Sequence, residues 1–91
     1  MIHDTEQAAS TAYYRCISEA LAKTLTPEKT GYKTKEAALC HITRQRRMSD
    51  ESDPSHITDY YLDQKVIFTA FYLCPQTGGI EVYVEYPKET P

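Results

Sequence analysis

Lys65-Val66-Ile67-Phe68-Thr69-Ala70-Phe71-Tyr72-Leu73 contains the longest nearly apolar run in the chain, Val66 to Leu73, and its reading decides the fold. It has the length of a strand and is far short of the roughly 20 apolar residues that span a bilayer. Val66, Phe68, Ala70 and Tyr72 alternate with Ile67, Thr69, Phe71 and Leu73. Both sets are largely apolar, which predicts a central strand covered on both faces.

Working outward, residues 74–79 read as a hairpin loop with two glycines. Residues 80–86 alternate strictly: Ile80, Val82, Val84 and Tyr86 are expected in the core, with Glu81, Tyr83 and Glu85 outward on an edge strand. Upstream, residues 57–62 fit a strand or a helical turn capped by Ser55. Thr58, Tyr60 and Tyr61 tilt the choice to strand. Residues 48–56 are polar and acidic and contain Pro54, which predicts a mobile loop.

The N-terminal part carries the helical period. Ala9, Ala12, Tyr13, Cys16, Ile17, Ala20, Leu21 and Leu25 recur at three- and four-residue steps, behind a cap at Asp4 or Thr5. A helix is expected over residues 5–25, stopped by Pro27. Residues 26–34 are a turn-rich connector with a reversal at Gly31. Thr34 then caps a second expected helix, over residues 35–47, whose last turn holds Arg44, Arg46 and Arg47. The fold class is therefore α+β, with two N-terminal helices packed on a three-stranded antiparallel β-meander in the order ααβββ. The 91 residues suffice for a single domain, with residues 87–91 as a short tail.

Charge is segregated. The net charge of −3 conceals a basic block and an acidic one. Residues 35–47 set Lys35, Arg44, Arg46 and Arg47 against Glu36 alone, while residues 48–63 carry Asp50, Glu51, Asp53, Asp59 and Asp63 with no Lys or Arg. Eight tyrosines against two phenylalanines is the other departure from the ordinary, and tyrosine suits half-buried positions and contact surfaces.

Catalytic and metal chemistry find little purchase. Cys16, Cys40 and Cys74 form no CxxC pair and no disulfide framework, and no HxxxH or HExxH spacing exists. Cys40, His41 and Asp59 could be assembled as a triad on paper, but no nucleophile elbow or phosphate loop accompanies them. Glu81 and Glu85 are roughly 13 Å apart along a strand, too far for shared acid–base work. No catalytic residue, metal or cofactor is expected. The opening Met1-Ile2-His3-Asp4-Thr5-Glu6 lacks a basic segment followed by an apolar one, so a cytoplasmic location without membrane contact is expected.

Contact with another macromolecule remains. Glu81, Tyr83 and Glu85 on the sheet, with Tyr14 on the first helix, suggest a protein-binding surface. Small size and absent motifs give the look of a regulatory or inhibitory adaptor of the kind phages and mobile elements encode. Its partner would be a larger host protein assembly, with homodimerisation through the sheet as a further possibility. The alternative is a nucleic-acid-binding accessory protein or repressor using Arg44, Arg46 and Arg47 as phosphate donors.

Overall fold

The computed structural model describes residues 2–3, 5–48, 55–74 and 79–87. The elements run β1 (Ile2–His3), α1 (Glu6–Thr24), α2 (Pro27–Thr30), α3 (Lys35–Leu39), β2 (Ile42–Met48), β3 (His56–Leu62), β4 (Lys65–Leu73) and β5 (Ile80–Glu85). The strands form one antiparallel sheet in the order β1-β5-β4-β3-β2. The α+β class holds. In place of three strands there are four long ones in a meander plus the two-residue β1.

Local chemistry explains the helices. Thr5 caps α1 by accepting from the Ala8 amide at 3.1 Å, and Leu25 closes its other end. The expected connector contains a one-turn helix, with Pro27 at its start and Gly31 at φ 81° ending it. Thr34 caps α3 through the Ala37 amide at 3.1 Å, as its position predicts.

The second helix is where the sequence reading fails. It stops at Leu39, and residues 42–48 are a strand paired with β3 over seven positions, from Ile42↔Leu62 to Met48↔His56. The arginines therefore lie on an edge strand and not at a helix end. Helical propensity across 40–47 is a weak preference, whereas β3 would otherwise leave a full row of backbone donors and acceptors unpaired. Leu39, expected on the apolar stripe, is exposed.

The core lies between α1 and one face of the sheet. Ala9, Tyr13, Ile17 and Ala20 of α1 pack on Tyr60, Phe68, Ala70, Tyr72 and Val82. A second cluster joins Leu25, Ala38 and Leu62 at the end where α3 turns into β2. Phe68 is fully buried and stacks on Tyr60 with centroids 4.5 Å apart.

Three further expectations are corrected. Tyr60 pairs with Phe68 but Tyr61 pairs with Val66, so Ile67 is the extra residue of a β-bulge. The bulge turns Ile67 toward the helices, where it touches both clusters, and leaves Val66 exposed. Tyr86 lies beyond β5 and is exposed, not in the core. Nor is β5 a simple edge, because β1 pairs with it at Ile80 and Glu81. The acidic loop at 49–54, most of the glycine hairpin loop (75–78) and the tail from 88 onward lie outside the described residues.

Phe68→Ala should cost about 3–5 kcal/mol in urea unfolding, and Val66→Ala less than about 1. Equal losses at the two positions would contradict the bulge.

Candidate functional site

Every described helix lies on one face of the sheet. The other face carries Thr43, Gln45 and Arg47 from β2, Ile57, Asp59 and Tyr61 from β3, Thr69, Phe71 and Leu73 from β4, and Glu81, Tyr83 and Glu85 from β5, by register and alternation. None of Ile57, Tyr61, Phe71, Leu73 and Tyr83 belongs to either core cluster. The described helices thus cover the central strand on one face only, as the ααβββ order predicts, and the cover expected for its second face, a loop or another chain, lies outside the described residues.

This open face has order of its own. Ile57, Phe71 and Tyr83 form one cross-strand row, and the Phe71 and Tyr83 rings stack at 4.6 Å and 8°. Beside it, Arg47 grips Asp59 with Nε at 2.7 Å from one carboxylate oxygen and Nη2 at 3.2 Å from the other. Thr69 Oγ1 donates to Asp59 at 2.7 Å. Burial, then the Glu85 and Glu81 carboxylates, push the Tyr83 hydroxyl above its ordinary value, so it is a protonated donor at neutral pH.

Arg44 and Arg46 have a different fate. Their partners in register are Tyr60 and Thr58, both buried on the helical side. They flank a groove of about 320 Å³ between β2 and α1, with Tyr13, Tyr14 and Ile17 on its other wall. Tyr14, as expected, is exposed, and Tyr13 is buried with its hydroxyl 3.2 Å from Thr58 Oγ1. The three arginines that sequence reasoning grouped as one cluster are split between two faces. The signal for that split was parity: on a strand, 44 and 46 share a side and 47 does not.

The remaining polar groups are engaged elsewhere. His41 stacks on Tyr32 at 4.9 Å and approaches Asp63 at 3.9 Å, while Asp59 is held by Arg47. Cys40 Sγ lies 3.5 Å from the Glu36 carbonyl. The triad drawn on paper is not assembled. Among the described residues no group of three or more His, Cys, Asp or Glu is placed to hold a metal ion, and no helix is long and apolar enough to cross a membrane. A wider groove of about 640 Å³ runs along the other flank of α1, past Ala8, Ala12, Cys16 and Val82. No family model, curated protein or solved structure matches this chain.

His56, which the sequence offers only as a candidate metal ligand, has an aromatic setting that sequence reasoning missed. It lies flat on Tyr72 at 4.8 Å and edge-on to Tyr13 at 5.2 Å, with Nδ1 buried and unpartnered among the described residues. Burial, then the Arg46 charge, lowers its pKa below 6.5. The unfolded chain therefore takes up a proton before the folded one does as pH falls through that value, and stability drops with it. His56→Phe keeps the stack and removes the titration. Its melting temperature should fall less than that of the parent between about pH 7.5 and 5.5; parallel curves would show that His56 is not so placed.

Proposed function

We propose that the chain is a non-enzymatic protein-binding module, a small regulatory protein that docks on a larger protein partner through the open face of its sheet. The Phe71–Tyr83 stack, on a face that no described helix covers, carries this reading. Ile57, Tyr61, Phe71, Leu73 and Tyr83 are half-buried there, and apolar side chains gathered on a face without a described helix point to an interaction surface. Tyrosine at its centre is the residue type on which interface energy concentrates.

Charge selects the partner. Arg47 is spent on Asp59, which leaves Glu81 and Glu85 as the carboxylates of the face without an ion pair among the described residues. A partner with an apolar knob rimmed by Lys or Arg fits it. A second copy fits less well, because that interface would gather four glutamates around arginines already committed. Four strands at about 4.8 Å spacing and about six residues at 3.3 Å give a face of roughly 400 Å², half the usual share per partner. Affinity must then rest on a few central residues. Contact with nucleic acid through Arg44, Arg46 and Arg47 together has weaker support, since the three no longer share a surface.

Light scattering at high micromolar concentration should return a mass near 10.4 kDa. A mass of twice that would replace the foreign partner with a second copy. Affinity capture from the cells that make the protein should retain a stoichiometric partner. Phe71→Ser with Tyr83→Ser should release it, at a cost of about 2 kcal/mol or more. Glu81→Lys with Glu85→Lys should release it too, while Arg44→Ala with Arg46→Ala should keep it. A partner indifferent to the sheet-face variants, or none at all, overturns the reading.

A further inference from the structure

We infer that the groove between α1 and β2 is a binding site for a small phosphate ester bearing a flat ring, of which a nucleoside monophosphate is the simplest example. This site is separate from the open face, on the opposite side of the sheet, and does not depend on the docking reading.

The groove exists because α1 packs mainly on β4, β5 and β1, so that beyond Ile42, which joins the core, no described helix lies close over Arg44 and Arg46 on the helical side of the edge strand β2. Arg44 and Arg46 stand two residues apart on that strand, about 6.6 Å along it, a spacing from which two guanidinium groups converge on one phosphate. Among the described residues neither has an ion pair or hydrogen bond, whereas Arg47 next door is fully engaged. Among the described residues no Asp or Glu lines the groove. The charge of Arg46 reaches inward, since it acts on both Tyr13 and His56.

The opposite wall supplies the rest. Tyr14 is 67% exposed and its ring is propped edge-on against Tyr13 at 5.6 Å and 69°. A propped, accessible aromatic face is a stacking platform for a base or another flat ring. The volume of about 320 Å³ falls at the small end of ligand pockets, which suits one ring and one phosphate and not a longer molecule. Guanidinium donors fit a phosphate through paired N–H groups, and an uncharged ligand would leave them unanswered.

NMR titration of the full chain at low salt tests this with adenosine monophosphate, inorganic phosphate, adenosine and a short single-stranded oligonucleotide. Adenosine monophosphate should shift the Tyr14 ring and the Arg44 and Arg46 side-chain signals saturably, in the millimolar range or tighter. Inorganic phosphate should bind more weakly at the arginines alone, and adenosine should leave the groove unshifted. Arg44→Ala with Arg46→Ala should weaken the nucleotide by about tenfold or more, and Tyr14→Ala should reduce it to the level of phosphate. Arg47→Ala should change it by less than about twofold. All these side chains are exposed, so a retained melting temperature separates lost binding from lost folding. Shifts that fail to saturate, equal response to adenosine, or equal loss on Arg47→Ala would overturn the site. So would an oligonucleotide that binds far more tightly and engages all three arginines.

Discussion

One long helix cannot cover this sheet, and most of the molecule's chemistry follows from that shortfall. A helix is about 10 Å across and strands lie about 4.8 Å apart, so α1 shields about two strands. It sits over β4 and β5, where Tyr13 and Ile17 meet Phe68, Tyr72 and Val82. The short α3 closes the core at one end through Ala38 and Leu62. No described helix lies over the reverse face or, beyond Ile42, close over the helical side of β2. Each exposed area then acquires its character from residues that alternation places there.

The reverse face and the groove are chemically opposite. The face is aromatic at its centre and acidic on β5, with its one arginine neutralised by Asp59. The groove holds two arginines, without an ion pair among the described residues, against tyrosine rings. A single strand, β2, builds both, because successive side chains leave a strand on opposite sides. The basic block is thus divided between the two sides of the sheet, with Arg44 and Arg46 in the groove and Arg47 paired with Asp59 of the acidic block on the reverse face.

Much of this was legible in the residues, for reasons that differ by element. The α1 stripe and the β4 and β5 alternation are long and regular, and periodicity reads them well. Thr34 and Gly31 were identified from local chemistry that needs no tertiary partner. The strand at 42–48 was not, because Ile42 and Ala38 also fit a helical stripe and the deciding fact is the vacant edge of β3, a tertiary matter. The bulge at Ile67 and the tight turn at Asp63 and Gln64, with φ of 50° and 72°, leave no mark in composition, since neither turn residue is glycine. Tyr83, Glu81 and Glu85 were correctly set on the outward face. Phe71 was placed on the same face, where it is half-buried and no described helix lies over it.

Hydroxyl-radical footprinting of the free protein tests the uncovered face most directly. Tyr83, Phe71 and Tyr61 should be oxidised well above Tyr13, Tyr60 and Tyr72, which are at most 9% exposed. Tyr83 and Phe71 protected to the level of Tyr60 in a dilute, monomeric sample would mean that the chain covers this face itself, and would contradict a docking role for it.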